Sequence, residues 1–183
     1  MKNSLLLVSV LIGLSCSAQV EKVIDGLSSP MGIAFDGDRL FVAESMAEKV
    51  SYFYVNDQFP VTNIALQGLT YPIDVDISPD NQLIISELGS LFSVPRVLRK
   101  SLDDIGPGVN FEVVLDYLNT PSGVATHNNG TLYISDFDDG RIITPLVNND
   151  KDPATLAEVL IDLSGPSDIL IEGDFIYLAE RIS

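Results

Sequence analysis

The chain has 183 residues, which is enough for one domain of ordinary size. Hydrophobic residues make up 46% of it and charged residues 20%, a balance typical of a folded protein. Ten Lys and Arg residues stand against 26 Asp and Glu residues, so the formal net charge is −16 at pH 7. A field of that sign repels phosphate backbones and anionic lipids, which argues against nucleic-acid and peripheral membrane binding. One Cys and one His leave little material for catalytic dyads or structural zinc sites.

The first 18 residues have the features of a secretory signal peptide. Lys2 provides the positive start, and residues 5–14 form an apolar run too short to cross a bilayer. Small residues surround a cleavage point after Ala18. In the alternative interpretation Cys16 is the lipidated cysteine of an anchored lipoprotein, with Gly13 where a lipobox usually has Leu. Both interpretations predict export, and the first predicts a periplasmic or secreted protein.

A pattern of 42 to 49 residues occurs four times in the rest of the chain. Each copy contains a proline after a short turn-forming segment, and the four are Pro30, Pro72, Pro121 and Pro166. An acidic residue follows each proline by 14 or 15 positions and ends a short apolar run. These acids are Glu44, Glu87, Asp136 and Glu180. Four coincidences of this kind indicate a true structural repeat.

Each copy predicts short β-strands joined by polar turns. Third strands are expected to begin near Val50, Val97 and Ile142, and fourth strands to cover residues 61–66, 111–115 and 156–161. Residues 154–162 also fit a short helix, but the repeat favours an outer strand. Asn129-Gly130 favours a type I′ hairpin turn, since both residues tolerate positive φ. Four short strands at this period are typical of β-propeller blades.

Residues 26–35 (GLSSPMGIAF) and their three aligned copies resemble the blades of NHL-repeat propellers. They are also similar to the gluconolactonase-like and TolB-like six-bladed propellers, and Ser78-Pro79-Asp80-Asn81 resembles a TolB-type turn. The resemblance implies an all-β domain over residues 19–183, built of four-stranded antiparallel blades. Three blades are expected to be complete, at about residues 26–67, 68–116 and 117–162, and a fourth at 163–183 to be partial.

Because a six-bladed ring needs more blades than this, we expect the chain to be a fragment of a longer propeller. The alternative is a short protein that associates with a second copy through an open blade edge.

The resemblance also implies a ligand-binding face, formed by the loops before the first strand and after the second strand of each blade. That face would gather six carboxylates, namely Glu44, Asp74, Glu87, Asp136, Asp168 and Glu180. In one interpretation they surround Ca²⁺ or another divalent metal near the axis. In the favoured interpretation each acid accepts backbone N–H bonds in its own loop or pairs with a basic neighbour such as Lys49 or Arg141.

These features predict an exported NHL-like binding scaffold that takes a protein, a glycan or a small ligand on its acidic loop face. The alternative function is that of a divalent-metal-dependent hydrolase or lactonase of the gluconolactonase-like group. The chain departs from that group at Ser28-Ser29, which precede Pro30 where the lactonases have a Glu and a Gly. His127 is expected in a hairpin turn on the opposite face, where it would not support base catalysis.

Overall fold

The computed structural model describes residues 24–58, 60–145 and 156–181. Within these ranges the chain forms 14 β-strands in four antiparallel sheets and two single 3-10 turns, Ser45–Ala47 and Leu102–Asp104. The predicted all-β fold of four-stranded blades with a partial fourth is therefore confirmed. The predicted signal peptide and Cys16 lie outside the described residues. The described part of the chain holds no helix with the length and apolarity that a membrane crossing requires.

Each sheet is a meander of consecutive strands. The first contains β1 (Pro30–Asp36), β2 (Arg39–Glu44), β3 (Lys49–Tyr54) and β4 (Asn63–Gln67). The second contains β5 (Pro72–Ser78), β6 (Gln82–Glu87), β7 (Arg96–Ser101) and β8 (Glu112–Asp116). The third contains β9 (Pro121–Thr126), β10 (Leu132–Asp136), β11 (Arg141–Pro145) and β12 (Leu156–Leu160). The fourth contains β13 (Pro166–Glu172) and β14 (Phe175–Glu180). We refer to the four sheets as blades 1 to 4.

The blades pack face to face, with their first strands β1, β5, β9 and β13 side by side. The core consists of three apolar layers between successive blades. Leu83 and Ile85 of β6 pack in the layer towards blade 1, whereas Ile84 packs in the layer towards blade 3. Because successive side chains of a strand point to opposite faces, one apolar run serves both layers. This explains why the second strands read as continuous apolar segments.

Two glycines allow the first strands to approach each other closely. A Cβ atom on Gly32 would lie 2.5 Å from Cα of Asp74, and one on Gly123 would lie 2.8 Å from Cα of Asp168. The four residues occupy the same position of the repeat, so glycine and aspartate alternate from blade to blade. Each aspartate therefore faces a neighbour without a side chain.

The hairpin between β9 and β10 differs from the prediction. Gly130 has a positive φ of +89°, but Asn129 is not among the described residues with positive φ, so the type I′ turn is not formed. Instead Gly130 N–H donates to the carbonyl of His127 at 2.8 Å, and His127 N–H donates to the carbonyl of Thr131 at 2.9 Å. This closes a loop with three residues between His127 and Thr131, in which a single left-handed glycine suffices.

The segment that fitted both a helix and a strand forms strand β12, as the repeat predicted. Strand β4 is covered along its outer edge by the connection between β7 and β8, where Gly106 N–H donates to the carbonyl of Ala65 at 2.8 Å. Such cover removes unpaired backbone groups from an exposed edge. Among the described residues, β14 pairs with β13 alone.

Candidate ligand-binding face at the propeller axis

The loops that precede each first strand lie against the loops that follow the second strand of the same blade. Backbone hydrogen bonds join them in all four blades: Ser45 to Ser29, Leu88 to Tyr71, Phe137 to Thr120 and Arg181 to Gly165. We call this side of the molecule the loop face, which comprises residues 24–29, 45–48, 68–71, 88–95, 117–120, 137–140, 161–165 and 181.

Four of the six candidate carboxylates stand at the ends of second strands and hold these loops. Each accepts a backbone N–H from the residue one or two positions before its proline. The bonds run from Ser28 to Glu44 at 2.7 Å, Thr70 to Glu87 at 2.9 Å, Thr120 to Asp136 at 2.8 Å and Ser164 to Glu180 at 2.7 Å. Each acid thus ties the incoming loop of its blade to the second strand.

Three of these acids also contact a basic side chain on the third strand. Lys49 Nζ lies 3.2 Å from Glu44, Arg141 lies 3.1 Å from Asp136, and Arg96 contacts Glu87. The first two pairs match the neighbours identified in the sequence. Arg96 was missed because eight residues separate it from Glu87, yet a basic residue opens the third strand of every four-stranded blade, which is a signal the repeat contains.

The environment of Glu44 favours its ionised form. Burial by itself would raise its pKa, but hydrogen bonds from the Ser51 hydroxyl, the Ser28 N–H and Lys49 outweigh burial and lower it. Glu87 and Asp136 are likewise buried. These acids are already paired within their own blades.

The other two candidates, Asp74 and Asp168, lie on first strands at the axis. The Asp74 carboxylate accepts the N–H of Val124 at 2.9 Å, and the neighbouring Asp76 accepts the N–H of Thr126 at 2.6 Å. Blade 2 therefore holds the first strand of blade 3 by two side chains. Asp168 is exposed, and its carboxylate accepts the N–H of Ile169 at 2.8 Å.

Burial and two neighbouring acids perturb the carboxyl of Asp74. Burial raises the pKa of Asp74 to about 7, and the negative charges of Asp168 and Asp76 add to the effect. The Val124 N–H opposes the shift and does not cancel it. Burial also raises the pKa of Asp76. Asp74 therefore gains and loses its proton near neutral pH.

A cleft of about 410 Å³ opens between the four first strands, and we call it the axial cleft. Its volume falls within the range of small-ligand pockets. It is lined by Met31, Gly32, Ile33, Asp74, Val75, Asp76, Val124, Ala125, Thr126, Asp168, Ile169, Leu170 and Ile171. The sequence identified Asp74 and Asp168 but missed Asp76, although its position two residues after Asp74 on one strand places both on the same face.

The six candidate carboxylates thus divide into two sets. Glu44, Glu87, Asp136 and Glu180 bind their own loops, whereas Asp74 and Asp168 line the axial cleft. In the part of the chain that the structure describes, His, Cys, Asp and Glu side chains form no group of three or more suited to a metal ion.

His127 lies in the hairpin turn between β9 and β10, and its ring links two blades. Its Nδ1 accepts the N–H of Asn129 at 3.1 Å, which leaves Nε2 to donate to the carbonyl of Gly173 at 3.0 Å. The ring therefore joins the hairpins of blades 3 and 4.

No family model matches the chain, and no curated protein matches it. Among solved structures it is similar to a chain in the crystal structure of a nidogen/laminin complex, with a TM-score of 0.71 and 20% identity over 86% of this chain and 58% of that one. A presumed gluconolactonase gives a TM-score of 0.62 and 14% identity over 81% of this chain and 56% of the other. A streptogramin B lyase gives a TM-score of 0.61 and 16% identity over 84% of this chain and 48% of the other.

At these identities the likeness establishes the fold, which is a β-propeller of the kind that the repeat resembles. The chain spans between 48% and 58% of the length of these structures. They include a protein complex, a presumed lactonase and a lyase, so the fold alone does not decide between binding and catalysis.

Proposed function

We propose that the chain belongs to an exported β-propeller that binds a protein partner, and that its axial cleft receives a cationic side chain of that partner. The observation that carries the proposal is the lining of the cleft, which includes Asp74, Asp76 and Asp168 and no Lys, Arg or His. A Lys or Arg side chain carries the positive charge that pairs with these carboxylates.

The electrostatics of the cleft support a cation as the bound group. The carboxyl of Asp74 carries a raised pKa because it is buried beside other negative charges. An entering cation would favour its ionised form, so binding would release a proton at neutral pH. The net charge of −16 would also speed the encounter with a basic partner.

A protein fits the cleft better than a glycan does. Sugars usually stack on aromatic rings, and the lining residues of the axial cleft include no Phe, Tyr or Trp. One of the similar structures is a protein–protein complex, which supports the proposal as an analogy of fold.

The test measures binding of octalysine and octaarginine by calorimetry. We expect Asp168→Asn to weaken binding at least about fivefold, since it removes one charge of the cleft. Glu112→Gln is the matched control, because it removes one negative charge from an exposed pair with Arg99 on the outer part of blade 2. If both variants weaken binding equally, overall charge alone attracts the peptide and the proposal fails.

The pH dependence provides a second readout. Affinity for octalysine should rise as the pH increases through about 7, the value at which Asp74 loses its proton. Calorimetry in buffers of different ionisation enthalpy should detect the released proton, and Asp74→Asn should reduce the release.

The second candidate function is that of a hydrolase or lactonase dependent on Ca²⁺ or another divalent metal. It is favoured by the two carboxylates Asp74 and Asp168 on one cleft and by the likeness of fold to a presumed gluconolactonase. Lactone hydrolysis that disappears with EDTA and in Asp168→Asn would establish it. No heat on titration with CaCl₂, together with no EDTA-sensitive hydrolysis, would eliminate it.

A further inference from the structure

The most exposed large apolar side chains of the described protein lie together at the end of one loop. Leu91 and Phe92 have exposed fractions of 96% and 97%, and they stand in the connection between β6 and β7 on the loop face. We call these two residues the tip. Isolated exposed apolar side chains are common, but adjacent ones of this size on a protruding loop are typical of contact sites.

The tip is held in a closed turn. Ser90 N–H donates to the carbonyl of Ser93 at 2.8 Å, and Phe92 N–H donates to the Ser90 hydroxyl at 3.1 Å. Gly89 has a φ of +70°, and a Cβ atom there would lie 2.4 Å from the Ser93 carbonyl oxygen. The turn therefore requires glycine at this position.

The base of the loop is also fixed. Leu88 N–H donates to the carbonyl of Tyr71, and Gly89 N–H donates to that of Thr70, both at 3.2 Å. A loop ordered before binding pays less conformational entropy when it binds.

The tip is an addition to the repeat. Four residues connect β2 to β3 and four connect β10 to β11, whereas eight connect β6 to β7. The shorter connections already complete a blade, so the additional residues are not needed to close the fold.

The charge around the tip indicates the chemistry of its partner. Residues 88–95 contain no charged side chain, and exposed acids occupy the neighbouring loops of the loop face at Glu48, Asp138, Asp139 and Asp162. Lys49, Arg96 and Arg141, which open the third strands beside this face, each contact a buried acid, and Arg141 also lies 2.8 Å from Asp139. Among the described residues of the loop face the exposed acids outnumber the one exposed cation, Arg181. An apolar contact within an acidic surround complements an apolar pocket with a basic border. A second copy of this chain and an anionic bilayer are both negatively charged, so the acids around the tip would repel them.

We propose that Leu91 and Phe92 form an anchor that inserts into an apolar pocket of a protein partner whose pocket is bordered by Lys and Arg. The proposal rests on the protein-binding function proposed above and adds a second point of contact to it. Aromatic side chains that fill a desolvated pocket contribute most of the binding energy at many interfaces.

The test begins with the full chain carrying the photo-crosslinker p-benzoylphenylalanine at position 92, irradiated in an extract of the cells that produce it. The crosslinked protein is identified, purified and titrated by calorimetry with the unmodified chain. Phe92→Ser and Leu91→Ser should each weaken binding at least about tenfold. Raising NaCl from about 50 mM to about 500 mM should weaken binding to the unmodified chain, because salt screens the surrounding charges.

Val61→Ser is the matched control. Val61 is an exposed apolar residue in the connection before β4, at the end of that strand opposite the loop face. This variant should bind like the unmodified chain. Equal urea midpoints for all variants would show that the substitutions leave the fold intact.

Several results would overturn the proposal. They are the absence of a crosslinked protein, crosslinks to a second copy alone, and equal binding by Phe92→Ser and Val61→Ser. Flotation with phosphatidylcholine vesicles that Phe92→Ser abolishes would assign the tip to a lipid surface instead.

The same titrations separate this proposal from the axial-cleft proposal. Weaker binding in Asp168→Asn but not in Phe92→Ser would support the cleft and reject the tip. The reverse result would support the tip and reject the cleft.

Discussion

Glu87 shows how one carboxylate holds a blade closed at the loop face. It is fully buried, accepts the N–H of Thr70 at 2.9 Å and contacts Arg96. The same arrangement recurs at Glu44 and Asp136, so the repeated acids stabilise the scaffold on which the axial cleft stands. A buried charge is tolerated here because each oxygen has a donor.

We expect Glu87→Gln to lower the free energy of unfolding by about 2–4 kcal/mol. The amide keeps one acceptor for Thr70 but removes the charge that faces Arg96, which is largely shielded from solvent. Urea unfolding followed by circular dichroism measures the change. Glu112→Gln is the control, because its pair with Arg99 is exposed and should contribute less than about 1 kcal/mol. Equal losses in the two variants would contradict the assigned role of Glu87.

Asp74 makes stability depend on pH. Burial raises its pKa to about 7 in the folded protein, so the folded state binds a proton that the unfolded state releases at lower pH. The free energy of unfolding should therefore fall as the pH rises from about 5 to about 7, by at most about 1.4 kcal/mol per pH unit. The contribution of Glu44 has the opposite sign, because its pKa is lowered in the folded protein. Its carboxylate therefore stabilises the folded state at pH values above the pKa that Glu44 has in the unfolded chain.

Urea midpoints measured from pH 4.5 to 8, in steps of about half a unit, would test this slope. In Asp74→Asn the fall of stability with pH should become shallower, and the raised pKa of Asp76 should account for what remains of it. Asp57→Asn changes an exposed aspartate and should retain the full slope. A flat profile for the unmodified protein would show that Asp74 does not titrate in this window.

At the scale of the elements, the close approach of the first strands depends on Gly32 and Gly123. A Cβ atom on Gly123 would lie 2.8 Å from Cα of Asp168 and 3.0 Å from the Ile169 nitrogen, so blade 4 would have to shift. We expect Gly123→Ala to cost about 1–3 kcal/mol. Gly106→Ala is the control because its Cβ would meet nothing within 4 Å. Thermal unfolding compares the two, and an unchanged midpoint for Gly123→Ala would mean that the blades can separate at little cost.

The order of strands was predictable from the sequence, whereas contacts between blades were not. Predicted third strands began one residue after the observed starts at Lys49, Arg96 and Arg141, because alternation and turn residues are local signals. The bonds from Val124 to Asp74 and from Thr126 to Asp76 join residues 50 positions apart. No local pattern encodes such a pair, so the loop-bound and axial carboxylates looked alike in the sequence.

At the scale of the whole molecule, the outermost blades expose apolar faces. The first strand of blade 1 presents Met31, Ile33 and Phe35, and blade 4 presents Leu170, Phe175 and Tyr177. Successive blades bury the equivalent faces in apolar layers. Contiguous exposed patches of this kind usually mark surfaces that another layer covers.

For the 183-residue chain studied alone, we expect association through these faces or through the edge of β14 that has no partner strand among the described residues. Sedimentation velocity from about 1 to about 100 µM should show a species larger than the monomer, favoured by salt because each copy carries a charge of −16. Phe35→Thr and Tyr177→Thr should each reduce association, since each replaces an exposed aromatic ring on one outer face by a smaller polar group. Phe92→Ser should leave it unchanged, because the tip lies on the loop face and not on an outer blade face. A monomer at every concentration and salt would reject self-association, whereas equal effects of all three substitutions would point to non-specific apolar contact.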